Sequence, residues 1–483
     1  MTGPVGAAAR IVVPCVAAVG LAAAPTATAR RPSAGGGEAP CEAPGTHVAR
    51  QALGGSVTGA ASVDVSGDGR FVAFVSLRRL TAADVNTVDD IYTLDRTTGA
   101  VTLESVAASG PGNGSSQQPR ISADGRVVVF SSMASHVIGA ATAASQVMRR
   151  DRATGTTTLV SHTPAGRPGN GWSGQADISG DGRYVVFESQ ATDLVAGPDA
   201  NHGGSDIYRY DATDGAVHRI SLTDAGVQSA SGQSGTPAID TAGRFVVFTS
   251  TAPLDGPARA RPDDPIRSVF RRDLVTADLR RLSAARGGGV PDGASYHPAI
   301  SGDGRRTVFV SVATNLAGGA GRTRRQQLYL HDADTGLLRH LSRSAAGGGA
   351  DGASRHPAVS GDGRFVVFSS DASNLPCADR CGPFADLNLV SDVYRLDVAT
   401  GAVDRVSGGA GSREAWWTAS GGAAIDGPGR VVAFSSRQPV DEADLEDDDD
   451  LFVAVLPATG DAGRATVNRP CGPVPLRPGI GRP

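Results

Sequence analysis

The stretch His356–Ser370, HPAVSGDGRFVVFSS, followed after a longer connection by Asp392–Ser407, DVYRLDVATGAVDRVS, decides the architecture of this 483-residue chain. HPAVS reads as a short strand, GDG as a tight turn and RFVVFSS as a second strand. Asp-Gly between two apolar runs is a strong hairpin signal, because glycine accepts a positive φ without steric cost. DVYRLD and AVDRVS give a third and fourth strand around the turn Val398–Gly401. The second strand is apolar on both faces (Phe365, Val366, Val367, Phe368), so both faces must be covered. The third alternates, Tyr394 and Leu396 against Val393 and Arg395, as expected of a strand nearer a rim.

The same unit recurs. Gly-Arg ends the first turn at Gly69-Arg70, Gly125-Arg126, Gly182-Arg183, Gly243-Arg244, Gly304-Arg305, Gly363-Arg364 and Gly429-Arg430, at intervals of 56, 57, 61, 61, 59 and 66 residues. A fixed period of this size means one supersecondary unit stacked on itself. The fourth and seventh copies have Ala242-Gly243 and Pro428-Gly429 in the turn, keeping glycine and losing aspartate. The second hairpin uses Asp-x-x-x-Gly, from Asp95, Asp151, Asp211, Asp332 and Asp397. An aspartate there bonds N–H groups of its own turn, so these five read as structural. Four antiparallel strands repeated radially make a propeller blade, and no segment carries a helical period. The expectation is an all-β, seven-bladed β-propeller of four-stranded antiparallel blades.

The run Ile-Ser-x-Asp-Gly-Arg-x-Val-x-Phe, as at Ile121–Phe130, precedes Asp-Ile-Tyr-x-x-Asp-x-x-Thr-Gly, as at Asp90–Gly99. Together they resemble the WD-like repeat of TolB-type β-propellers, over about residues 47–469. The resemblance implies a propeller with a scaffold or binding role in the bacterial envelope, and no reaction. TolB itself joins a six-bladed propeller to an N-terminal α/β domain. Seven repeats leave no room here for that domain, so TolB's partners are not carried over.

Outside the repeats, Arg10, the apolar residues 11–24 and Ala27-Thr28-Ala29 read as a secretory signal over residues 1–29. Residues 30–46 read as a linker and 470–483 as a Pro-rich tail. No run approaches the ~20 apolar residues a membrane span needs. Removal of the leader takes Cys15 and leaves four cysteines in an oxidising compartment. Cys377 and Cys381 are close enough to pair, and Cys41 and Cys471 would then join the ends of the array; other pairings remain open. The ring must also be closed by a strand from one end. His47–Leu53 and Arg464–Arg469 compete for that place. All basic charge is arginine, and the net charge of −4 argues against nucleic acid as partner. The chain is read as a secreted or envelope-located monomer with a protein or saccharide ligand.

Strand pairs one–two and three–four are joined tightly, whereas the remaining connections are long and variable and open on one face. Loops on a rigid scaffold carry function, so that face is the expected binding surface. Gln118, Gln175, His297 and His356 stand where the innermost strand begins and should ring the channel mouth, with Ser62, Thr236 and Gly422 at the same position. Trp172, Trp416, Trp417 and Tyr296 lie close by and could seat a ligand, or else pack between blades. The connection before the third strand repeats an acidic pattern: Asp84, Asn86 and Asp89, then Asp386, Asn388 and Asp392. Such oxygens can wrap Ca²⁺. The plainer reading, preferred here, is a turn capping the strand start, with no cofactor required. No nucleophile elbow, zinc helix motif or Cys-His metal spacing is found, and the seven Ser-x-Asp-Gly-like turns serve as hairpins. The leading reading is therefore a non-catalytic binding module. The alternative is a polysaccharide lyase or glycosidase at the channel mouth, using His297 and His356.

Overall fold

A computed structural model describes residues 47–49, 63–140, 144–256, 266–316, 324–376, 391–407, 420–436 and 450–456. They form seven four-stranded antiparallel sheets. Blade six shows the plan: Ser354–Val359, Phe365–Ser370, Asp392–Asp397 and Val403–Arg405, each strand hydrogen-bonded to the next. The other complete blades repeat it from Val63, Ser116, Ser173, Ser234 and Ser295. Blade seven takes three strands from Ser420–Val455 and its fourth from the opposite end of the chain, His47–Ala49 pairing with Val453–Val455. Of the two candidate closing segments, the N-terminal one fills the place; residues 464–469 lie outside those described. One single-turn helix, Ser135–Ile138, sits in blade two, the only helix among the described residues.

The apolar second strands are buried because every blade is sandwiched. Val308, Val310, Leu328 and Leu330 of blade five pack on Val366, Phe368, Tyr394 and Leu396 of blade six. Val72, Phe74 and Tyr92 of blade one pack in the same way on Val431, Ala433 and Val453 of blade seven. Within most blades the second and third strands also stack an aromatic pair, such as Phe368 on Tyr394 with centroids 5.8 Å apart. The third strand does lie nearer the rim than the second, but the exposure that its alternation suggested needs correcting. Asp392–Asp397 is buried throughout, because Arg395 is inserted between blades, donating to the Gly429 carbonyl (2.9 Å) and the Asp404 carboxylate (2.8 Å). Its apparent alternation records an internal ion pair.

The Gly-Arg repeat has a physical reason for each letter. The glycines from Gly69 to Gly429 hold φ between 70° and 73°, a region open to glycine at little cost. An added Cβ at Gly243 would overlap the Tyr184 ring of the preceding blade, and one at Gly429 would overlap Phe365. Gly69 meets Val431 in the same way across the ring closure. The arginines at 70, 126, 183, 244 and 364 reach the Asp of the second hairpin in their own blade, at 2.7–2.9 Å. Four of them also lie over the following aromatic ring, 4.6–5.0 Å from its centroid. Arg305 departs from the pattern: its contacts are Asp303 and Asp334.

The same turns knit the blades at the axis. The N–H of Gly67 donates to Ala123, Ala123 to Gly180, Gly180 to Thr241 and Thr241 to Gly302. Asp362 donates to Gly427, and Gly427 back to Gly67 at 2.9 Å. This belt of small residues borders the axial channel on the tight-turn face.

Candidate functional site

At the other end of the channel the innermost strands begin, and six of the seven are bulged here among the described residues. Register shifts fall between Gln117 and Arg120, Gly174 and Asp177, Gly235 and Ala238, Tyr296 and Ala299, Arg355 and Ala358, and Gly421 and Ala424. The bulged residue in each is the one singled out by position: Gln118 (φ 56°), Gln175 (49°), Thr236 (48°), His297 (46°), His356 (48°) and Gly422 (56°). Five are therefore L-residues held in left-handed backbone, a conformation they seldom adopt. Bulges re-aim a side chain and recur beside functional sites. Pro119, Pro237, Pro298 and Pro357 follow four of them, suiting a position where the ladder needs no donor.

The mouth has two halves. In the first, Gln118 Oε1 accepts from Ser131 Oγ (3.2 Å) and from the Gln175 N–H of the next blade (3.0 Å). Half-buried Trp172 covers Gly174, so close that a Cβ there would meet the indole at 2.6 Å and Gln118 Oε1 at 3.2 Å. Glu188 continues this arc by accepting the Thr236 N–H (3.0 Å).

In the second half, the rings of His297 and His356 lie 5.1 Å apart. Arg267, entering from the connection before the third strand of blade four, donates to Thr249 Oγ1 (3.2 Å), which bonds Thr236 Oγ1 (3.0 Å). Arg355 is neutralised by Asp371 (2.8 Å) and bonded to Gln326. Burial, then His356 and Arg267, push His297 down to about 4, although the residue as a whole is exposed; burial and Arg355 lower His356 as well. Both imidazoles are neutral at pH 7, offering donors and acceptors. Tyr296 is half-buried, 6.4 Å from His297, and packs against the core between blades five and six.

Deeper in the channel, Asp64, Arg120 and Asp177 occupy a level that is alanine in the other four blades (Ala238, Ala299, Ala358, Ala424). Asp64 accepts the Ile121 N–H (2.8 Å) and Asp177 the Ile239 N–H (2.9 Å), each fastening the next blade. Burial raises Asp64 to about 6 against the opposing pull of Arg120, and it raises Asp177 too.

The acidic connections place their oxygens on protein donors. Asp84 accepts from Tyr92 Oη (2.5 Å) and the Asn86 N–H (3.0 Å), Asn86 Nδ2 donates to Asp90 and the Gly112 carbonyl, and Asp89 accepts from Gln117 (2.9 Å). Asp392 accepts from Ser407 Oγ (2.6 Å). Among the described residues no three His, Cys, Asp or Glu side chains gather as a metal site. Trp416, Trp417, Asp386, Asn388, Cys41, Cys377, Cys381, Cys471, Ser62 and the leader, linker and tail lie outside the described residues. Among those described, no helix is long and apolar enough to cross a membrane.

Sequence reasoning missed Glu188 and Arg267. Glu188 has a signal: its position in the second strand is Ser131, Thr249, Val310, Ser369 and Ser435 in the neighbouring blades, so one acid stands out. Arg267 lies in a connection of variable length and has none.

No protein-family profile matches the chain, and no curated protein does. Solved structures do. In fold, the chain is a β-propeller similar to the TolB type. TolB from Acinetobacter baumannii matches 71% of the chain and 63% of its own, at 15% identity and TM-score 0.38. An oligogalacturonate lyase from Vibrio parahaemolyticus matches 83% and 91%, at 14% identity and TM-score 0.49. The propeller domain of the Trilobed protease from Pyrococcus furiosus matches 85% and 100%, at 12% identity and TM-score 0.48. At these identities the likeness concerns the fold alone.

Proposed function

We propose that this TolB-like propeller is a secreted, non-catalytic binding or scaffold module that takes a protein or saccharide ligand at the mouth on its long-connection face. One observation carries the reading: Gln118, Gln175, Thr236, His297 and His356 keep left-handed backbone around a single opening. Each such residue costs about 1 kcal/mol of strain, which persists where a side chain must be aimed. The scaffold itself does not ask for these side chains, since blade seven makes the same bulge with Gly422. The test is a binding screen of the purified chain against polysaccharides and peptides. Affinity lost in Gln118→Ala or His297→Ala, with an unchanged melting temperature, supports the reading. A ligand indifferent to every mouth substitution sinks it.

A second reading rests on the two neutral imidazoles 5.1 Å apart, which suit proton abstraction. It makes the protein an extracellular lyase or glycosidase. Turnover of a polysaccharide that vanishes in His297→Ala or His356→Ala would replace the binding reading with this one. The acidic connections act as capping turns with no cofactor, and the four cysteines of the exported chain close two disulfides; chelation and non-reducing mass mapping test these two points.

A further inference from the structure

The mouth is not uniform around its rim, and the difference points to a ligand class. Across Gln118, Gln175 and half-buried Trp172 it presents carboxamides and an indole, a neutral surface suited to hydroxyl groups and a sugar ring. Opposite, it presents Arg267 beside His297 and His356. Among the described residues Arg267 has no carboxylate partner; its side-chain hydrogen bond goes to the neutral Thr249. Arg355 nearby is already matched by Asp371. A guanidinium with no counter-charge among the described residues, at the rim of the mouth, is a ready donor to a carboxylate.

A second observation comes from Ser369. Its position in the second strand is the one from which Ser131 donates to Gln118 and Thr249 bonds Thr236. In blade six the facing bulge residue is His356; Ser369 is 3% exposed and its buried hydroxyl has no partner. Buried hydroxyls are normally satisfied, so this one is left for a group that enters the mouth.

We infer that Arg267, His297, His356 and Ser369 form a subsite for the carboxylate of an acidic saccharide whose neutral ring face lies against Trp172 and the carboxamides of Gln118 and Gln175. The inference rests on the mouth being the ligand site. The charged and titratable groups facing the imidazoles are Arg267 from blade four, Tyr296 beside His297, Arg355 with Asp371 from blade six, and Glu188 across Thr236. With the rings neutral in the free protein, a bound carboxylate favours their protonated form. Binding therefore takes up protons, and affinity rises as pH falls from 8 to 5.

Calorimetry on the full chain decides it, with an oligoglucuronate, its methyl ester and an acidic peptide as probes. The acid form is expected to bind about tenfold more tightly than the ester, as a charge-assisted hydrogen bond would give. The preference should grow at lower pH and shrink with added salt. Arg267→Gln should abolish the preference for the acid over the ester, and Arg267→Lys should partly restore it. Equal binding of acid and ester, or a preference that survives Arg267→Gln, overturns the carboxylate subsite while the mouth remains the ligand site. Binding of the peptide alone overturns the saccharide class and leaves the mouth standing. Binding of none of the three overturns the subsite and the mouth reading together.

Discussion

The two ends of the channel are built from the same seven inner strands and obey opposite rules. At the tight-turn end the side chains repeat and spend their polar groups inside the fold: arginine on aspartate, aspartate on its own turn, N–H on the next blade's carbonyl. At the bulged end the backbone repeats while the side chains diverge through Gln, Gln, Thr, His, His and Gly. Repetition of chemistry marks what the ring needs to close. Repetition of backbone with varied chemistry marks what the ring displays.

The comparison breaks most visibly at a turn glycine. Gly243→Val forces a β-branched residue to φ 72° and onto the Tyr184 ring, and is expected to cost more than about 4 kcal/mol. A denaturant melt, or failure to express in soluble form, reads this out. A cost below that of an ordinary surface substitution would deny the turns their locking role. Asp211→Ala removes the Arg183 pair and the turn N–H bonds. With the arginine 44% exposed, solvent screening keeps the loss small, and a slight drop in the urea midpoint is expected.

Acid sharpens the contrast. Arginine holds Asp95, Asp211 and Asp273 below the usual carboxylate range, so their stabilisation is complete above about pH 4 and lost as pH falls further. Asp64, raised to about 6, acts in the other sense: protonation between pH 6 and 4 relieves a buried charge. The Asp64→Asn variant should therefore lose the gain that the parent shows on mild acidification, relative to its stability at pH 7. A parent-like pH curve in that variant would contradict the assignment. His297, pushed down to about 4, loses stability through the same window as pH drops below about 6.5, so the two groups must be separated by substitution.

A smaller effect has an unusual sign. His356→Gly should leave thermal stability equal or raise it by about 0.5–1 kcal/mol, since glycine relieves the left-handed strain, while ligand affinity falls. A clear loss of stability would show that His356 supports the fold. The smallest shift of all is expected from chelator: a melting temperature unchanged by EDTA agrees with protein donors occupying Asp84, Asn86 and Asp89, and a fall would restore the calcium reading.

The turn half of this contrast was legible in the sequence because glycine is required for a close approach that recurs in every blade and arginine for an ion pair that recurs in five. The mouth residues were legible by position alone. Their left-handed backbone was not, as side chains such as Gln118 and His297 carry no such preference, although the proline after four of these bulge residues was a usable mark. Arg267 and Glu188 escaped because they reach the mouth from other elements, and long-range approach leaves no local pattern. The third strand misled for a related reason: Arg395 reads as solvent-facing until the neighbouring Gly429 carbonyl is seen to receive it.

The belt of turn N–H groups has one further implication. Six such bonds join neighbouring blades in the same sense, the last returning to Gly67, while blades five and six are joined by their packed strands. A circularly permuted chain, with the original ends joined and new ends cut in a long connection, should rebuild the same circle. Its strand content by circular dichroism and its melting temperature should stay close to those of the parent, because the order of blades around the axis, more than their order along the chain, holds this protein together.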